Sequence, residues 1–285
     1  MIRKLAALAA LAWLGACGEP AHDWPDPSPA LWEVSGPAGE QAWLFGTIHA
    51  LPDGVAWRTP AIDAVLDQAS VLVVEVSNLG DAEAASQAFT AFAAGRELPP
   101  LLERVPTEDR PALAAALERA DLEPTELAAT ESWAAALLIA NGLRSGETGN
   151  GVDRALLSRG FEVIALESYP AQFSIFDRLA PEDQSVLLVA TAENAGTDNE
   201  RAMVEAWLTG DLAAIEREAE SGFLADPELR QALLTDRNRA WAERIAPLLA
   251  ENRRPLVAVG TAHLIGPDGL VALLKARGYS IRRIQ

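Results

Sequence analysis

The feature that most narrows what this chain can become is a pair of near-copies set far apart. Ala42-Trp-Leu-Phe45 runs into Gly46-Thr47-Ile48-His49 and then Pro52-Asp53-Gly54, while Leu256-Val-Ala-Val259 runs into Gly260-Thr261-Ala262-His263 and then Pro267-Asp268-Gly269. Each apolar run has strand character, and helical periodicity follows it, over Ala61 to Ala69 in the first copy and Leu270 to Arg277 in the second. Strand character returns at Val71 to Val76 and at Tyr279 to Ile284. Thr59 and Pro60 supply an N-cap and a first helical residue in the first copy, and Asp268 a cap in the second. Two β-loop-α-β units predict an α/β fold with a central mixed sheet, at least partly parallel. Ligands of such sheets gather at the carboxyl ends of the strands, where both histidines stand.

Between the copies the chain is Ala/Leu-rich and mostly helical. Helices are expected over Ala82 to Ala94, Glu108 to Ala120, Glu131 to Leu143, Val152 to Arg159, Pro181 to Asn194, Glu200 to Leu208, Leu212 to Glu220 and Pro227 to Ala250, with one further strand over Phe161 to Leu166. The stretch from about 81 to 144 lacks strands and reads as a helical lobe beside the sheet, joined through Ser145 to Gly151. One domain over residues 30–285 accommodates all of this.

The N-terminus reads differently. Arg3 and Lys4 precede an apolar run, Leu5 to Leu14, that is too short to span a bilayer and suits a secretory signal. Leu14-Gly15-Ala16-Cys17 resembles the bacterial lipobox, so residues 1–16 are expected to be a lipoprotein signal peptide and Cys17 the site of lipidation; the alternative is a chance thiol near a cleavage site. Residues 17–29, with Pro20, Pro25, Pro27 and Pro29, read as a tether. Cys17 is the single cysteine, so no intramolecular disulfide staples the fold. A formal net charge of -18 repels phosphate backbones and argues against a nucleic-acid partner. No later run of apolar residues is long enough for a span, so membrane contact is expected through the lipid alone, with the protein exported to the periplasmic face of the cell envelope.

Of three histidines, His22 falls in the tether and both others occupy the duplicated motif. A lone Gly-x-x-His means little, but two copies sharing the threonine, the preceding strand and the following Pro-Asp-Gly are specific. The glycine permits a sharp turn as the strand ends, and the threonine hydroxyl can satisfy a freed backbone group. His49 and His263 are thereby candidate ligands of one metal ion, the alternative being hydrogen-bonded structural residues. Glu75 closes the apolar strand Val71-Leu-Val-Val and faces the same crevice, and Glu167 closes Val163-Ile-Ala-Leu in the same way; each is a catalytic candidate or a partner for arginine at the rim. Arg237 interrupts an apolar helical stripe formed by Leu229, Leu233, Trp241, Ile245 and Leu248, so it wants a carboxylate or stabilises developing negative charge. Asn238 beside it carries donors and acceptors for a substrate amide, or is structural. Asp153 reads as a helix-dipole partner, and Trp133, Trp207 and Trp241 as core. No G-x-S-x-G elbow, Walker-type loop or H-E-x-x-H is present.

Taken together, Leu44 to Pro52, Val73-Val-Glu75, Gly151-Val-Asp153, Leu166-Glu167 with Gln172, Arg237-Asn238 and Val257 to Gly266 resemble the TraB/GumN family, related to the Tiki-type metalloproteases and more distantly to the erythromycin-esterase/ChaN-like group. Where that family commonly has Gly-Ala-Gly-His, this chain has Gly-Thr-Ala-His, with glycine and histidine intact. The resemblance implies a metal-dependent, peptidase-like hydrolase using His49, Glu75 and His263 and a divalent manganese, cobalt or zinc ion, with a peptide or small-molecule substrate. Two rivals stand beside it. One is a haem- or iron-binding envelope lipoprotein, the other a non-catalytic envelope interaction module.

Overall fold

The computed structural model describes residues 24–194 and 199–285. The segment read above as a signal peptide, with Cys17 and the first part of the tether, lies outside them. Elements follow in the order β1 (Leu31–Ser35), β2 (Gln41–Thr47), α1 (Pro60–Gln68), β3 (Val71–Val74), α2 (Ala82–Ala93), α3 (Arg110–Arg119), α4 (Ser132–Leu143), α5 (Val152–Leu157), β4 (Glu162–Ala165), α6 (Tyr169–Asp177), α7 (Pro181–Asn194), α8 (Asn199–Thr209), α9 (Leu212–Ser221), α10 (Pro227–Arg230), α11 (Asp236–Ala250), β5 (Pro255–Gly260), α12 (Leu270–Ala276) and β6 (Ser280–Arg283).

Among the described residues the strands form one mixed sheet in the order β4-β3-β5-β2-β1-β6. β4, β3, β5 and β2 run parallel, and β1 is antiparallel to both of its neighbours. The fold is therefore α/β, as the two repeats imply. The first strands of the two copies, β2 and β5, lie side by side, with Thr47 opposite Gly260. β5 thus separates β2 from β3, and the closing strand of the second copy, β6, reaches the far edge beyond β1. Thr59 caps α1 by accepting from Ile62 N–H, with Pro60 in the first turn. In the second copy Gly269, not Asp268, stands at the N-cap. The Asp268 carboxylate turns to Arg239 at 3.7 Å instead, and its carbonyl is taken by Asn238.

Alternation along the strands covers the sheet on both faces. Trp43, Phe45, Leu72, Val74, Leu256 and Ala258 pack with α1, α5 and α8 on one side. Leu44, Val71, Val73, Val257 and Val259 pack with α11 and α12 on the other. The strand over Leu31 to Ser35 went unread in the sequence, and so did α6. Ser168 caps α6 by accepting from Ala171 N–H, but none of its residues is fully buried, so it carries little apolar periodicity. The expected helix from Pro227 to Ala250 is broken by a π-helical turn at Gln231–Thr235, where Asp236 N–H bonds to Gln231 O.

The helical lobe is larger than its first segment. Buried residues of α3 and α4 share one core with Leu187 and Leu188 of α7 and with Leu224, Leu229, Leu233 and Leu234. Trp133 lies at its centre, stacked against Phe173 and Phe176 of α6 at 6.0 and 5.6 Å. The end of the tether is also tied down. Ser28 N–H donates to Leu208 O at 2.7 Å, and the Arg201 guanidinium lies 4.8 Å from the Trp24 ring centre, so packing begins before Ala30. No helix among the described residues is long and apolar enough to cross a membrane.

Candidate functional site

Four parallel strands end at the same edge of the sheet, and each contributes one of the residues singled out by sequence: His49 after β2, His263 after β5, Glu75 after β3 and Glu167 after β4. Close approach between the two copies depends on their glycines. A side chain on Gly46 would stand 2.6 Å from Thr261 Oγ1, and Thr261 uses that hydroxyl to donate to Thr47 O at 3.2 Å. A Cβ on Gly260 would lie 3.3 Å from Glu75 Oε1 and 3.7 Å from both His49 Nε2 and His263 Cδ2. All three side chains therefore surround one point, and Gly260 N–H donates to Glu75 Oε1 at 2.8 Å.

His49 is held by a chain of contacts from another part of the sequence. Its Nδ1 lies 2.9 Å from Asp153 Oδ2, and the other carboxylate oxygen accepts from Thr47 Oγ1 at 2.7 Å. A carboxylate can only accept, so Nδ1 carries the proton and Nε2 is left facing the crevice. The motif threonine thus positions Asp153, which positions the motif histidine, and Asp153 is a partner of His49 rather than a helix-dipole residue. Gly151 lets the backbones meet, because a Cβ there would stand 2.3 Å from His49 O. Burial would lower the His49 pKa, but the Asp153 hydrogen bond and charge, with Glu75, raise it to about 9. Because the side chain is 63% exposed, the Asp153 contact governs its protonation more than desolvation does.

His263 is built the same way with a neutral partner. Asn238, fully buried, donates through Nδ2 to Asp268 O at 2.9 Å, which turns its Oδ1 towards His263 Nδ1 at 2.6 Å. Both functional groups of Asn238 are committed, so it positions the imidazole and makes no substrate contact. The inward Nε2 accepts from Arg237 Nη1 at 3.3 Å. Burial is the main cause of a His263 pKa lowered to about 3; Glu75 opposes the shift, while Arg237 and His49 reinforce it.

Arg237 sits at the joint between the lobe core and the sheet core, just after the π-helical turn, a feature common at functional sites. Its Nε and Nη2 grip the two oxygens of Glu167 at 3.0 and 2.9 Å, and Nη2 also reaches Glu75 Oε2 at 3.1 Å. Trp241 donates Nε1 to Glu167 Oε1 at 2.9 Å and lies 4.7 Å below the guanidinium. Glu167 is thus an anchor for Arg237, with both oxygens taken. Burial would push the Glu75 carboxyl up, but His263, His49, Arg237 and the Gly260 amide outweigh it and hold it near 2. Trp207 is core in packing but also fixes the turn, donating Nε1 to Gly46 O at 2.8 Å.

Two small cavities of about 200 and 170 Å³ meet here, both lined by His49, Glu75 and Gln172. Each falls below the roughly 300–1,000 Å³ usual for a whole ligand, so they are two halves of one crevice. Gln172, which the sequence marks only as part of a motif, lines both halves. A cavity of about 710 Å³ opens elsewhere among α4, α7, α8 and α9, with Ala262 its one link to the histidine motifs. Its size does not make it the site, since it holds none of the converging groups. As donors, two Nδ1-anchored imidazoles and an ionised carboxylate suit a divalent cation. As they stand, no three His, Cys, Asp or Glu side chains among the described residues are grouped to hold one. An ion shared by His49, Glu75 and His263 requires Arg237 Nη1 to leave His263 Nε2.

No curated protein and no solved structure matches the chain. The profile of the TraB/PrgY/gumN family matches residues 30–283, which takes in every strand of the sheet and every residue of the crevice. On that match the chain belongs to the TraB/PrgY/gumN family.

Proposed function

We propose that the protein is a hydrolase of amide or ester bonds whose centre takes a divalent manganese, cobalt or zinc ion between His49, Glu75 and His263. The observation that carries this reading is the strand-edge cluster itself. Two imidazoles, each pinned through Nδ1, converge with an ionised glutamate around Gly260, where the crevice ends. A core-filling role requires no such convergence of charge. A bound ion would polarise the scissile carbonyl and acidify water.

The chain's own groups divide the remaining work. Gln172 orients the substrate's amide or ester group between the two halves of the crevice. Glu75, which lines both halves and stays ionised, accepts the proton of the attacking water. As the carbonyl oxygen gains negative charge, Arg237 is the cation placed to stabilise it through Nη1, once that group has left His263 Nε2, while Glu167 and Trp241 hold the rest of the guanidinium. The carbon–nitrogen or carbon–oxygen bond then breaks, and the proton passes to the departing amine or alcohol. Asp153 and Asn238 keep the imidazoles in one tautomer throughout.

The narrowness of each half favours an extended chain over a broad planar macrocycle, which sets this reading ahead of haem binding. Cleavage of a peptide library by wild type with added manganese, cobalt or zinc, against the His49→Ala/His263→Ala variant and a chelated control, tests it. Cleavage that survives both controls would sink it. We also place the protein on the periplasmic face of the envelope through a lipid on Cys17. Cys17→Ser should move it from the membrane to the soluble fraction.

A further inference from the structure

The crevice contains two arginines in opposite states. Arg237 has all of its guanidinium committed to Glu75, Glu167, Leu233 O and His263. Arg154, on α5, lines the half of the crevice that also holds His49, Glu75 and Thr148, and its guanidinium makes no hydrogen bond or ion pair with any described residue. It is half-buried rather than waving in solvent. The carboxylate beside it in sequence, Asp153, is turned to His49 and Thr47 and does not neutralise it. Asp81 is engaged as the cap of α2, accepting from Ala84 N–H. Glu75 and Asp153, the carboxylates of this half, are already bonded to Arg237 and Gly260 and to His49 and Thr47, so the uncommitted guanidinium is a local positive feature, within a chain of net charge -18, that an anionic ligand would read.

The other half is different. There Ile175 and Phe176, partly exposed, and buried Leu233 present apolar surface around Arg237, whose charge is already satisfied. A substrate lying across His49 and Glu75 therefore meets an apolar wall on one side and a free cation on the other.

We propose that the substrate is peptide-like and ends in a free carboxylate, which Arg154 holds on one side of the scissile bond while Ile175, Phe176 and Leu233 take an apolar side chain on the other. This rests on the hydrolase reading above and narrows it to removal of a short C-terminal piece. A planar guanidinium with two free edges matches a carboxylate in two parallel hydrogen bonds, and a lysine at the same place would offer only a point charge. The small volume on the Arg154 side, about 200 Å³, leaves space for little more than one residue between the cleaved bond and the carboxylate.

The test compares acetyl-Ala-Phe-Ala as the free acid with the same peptide as its C-terminal amide, using the full chain with manganese, cobalt or zinc added in turn. Binding is read by calorimetry and cleavage by product analysis. The wild type should bind the free acid about tenfold to a hundredfold more tightly than the amide, the range of a hydrogen-bonded ion pair. Arg154→Ala and Arg154→Gln should each bring that ratio to about one, and Arg154→Lys should keep part of it. Because a general folding defect weakens both forms together, the ratio isolates the carboxylate contact. Preference for the free acid that is lost in the variants, without cleavage of either peptide, would support the carboxylate anchor and overturn the hydrolase reading. No preference in wild type, no binding of either form, or a preference that survives Arg154→Ala and Arg154→Gln would overturn the anchor.

Discussion

Replacing Arg237 by methionine should destabilise the protein sharply, and the structure says how much. The guanidinium and its two carboxylate partners are nearly enclosed, with side chains 14%, 10% and 11% exposed for Arg237, Glu75 and Glu167. Methionine keeps most of the packing but removes the counter-charge. Breaking such a pair from one side costs about 3–5 kcal/mol, because the abandoned carboxylates remain desolvated. In a domain of this size each kcal/mol moves the melting point by about 2–4 °C, which gives a drop of about 6–20 °C. Glu75 borders the crevice and can regain water, whereas Glu167 lies behind Arg237 under Trp241, so most of the loss falls on Glu167. Two further outcomes separate this cause from simple loss of packing. Adding Glu167→Met should recover part of the lost stability instead of subtracting further, a non-additivity expected of contacting charges. Mild acid, by protonating the stranded carboxylates, should narrow the gap between variant and wild type. Calorimetric melts of the four proteins settle it. An Arg237→Met variant that melts within about 2 °C of wild type, or a double variant whose loss is the sum of the singles, would refute the reasoning.

Other consequences are more local. Gly151→Ala drives a methyl group towards His49 O, which as backbone cannot yield easily, and should cost about 1–3 kcal/mol in urea unfolding while lowering any activity that depends on His49. Asp153→Asn keeps the shape but removes the charge that holds His49, and a loss of about 10–100-fold in metal affinity is expected by titration; an unchanged affinity would show that Asp153 does not orient the ring. In the ligand-free protein His49, raised from 6.5 to about 9, contributes stability that is complete below pH 6.5 and fades as pH climbs to about 9. His263, lowered from 6.5 to about 3, contributes stability that is complete above pH 6.5 and is lost as pH falls towards 3. Unfolding free energies across both limbs check this, and in Asp153→Asn the alkaline limb should flatten while the acid limb remains.

What could be read in the sequence is what local pattern encodes. The duplicated glycine and histidine marked two strand ends, and the unbroken apolar run Val71 to Val74 marked a strand buried on both faces with a carboxylate just beyond it. Arg237 betrayed itself by interrupting an apolar stripe, and both partners proposed for it, Glu75 and Glu167, are bonded to it. Contacts between distant segments left no such trace. Asp153 lies 104 positions from His49 and 106 from Thr47, so nothing near it in sequence distinguishes it from an ordinary acidic residue in the first turn of a helix. Asn238 looked available for substrate because its commitments, to His263 and to the Asp268 carbonyl, are made across 25 and 30 positions. Arg154 could not be singled out at all, since a charge without a partner is a property of the assembled crevice. The strand Leu31 to Ser35 was obscured by the proline-rich stretch before it, and its pairing with both β2 and β6 is again non-local.

The central claim is that His49 and His263 serve one centre, and the chain's three histidines make that directly measurable. With histidine rings selectively labelled with nitrogen-15, titration with cobalt should perturb the Nε2 signals of His49 and His263 together, saturating at one ion per chain, and His49→Ala or His263→Ala alone should abolish the response of the remaining ring. Responses that saturate at different stoichiometries, or a ring that still binds after its partner is removed, would contradict the account.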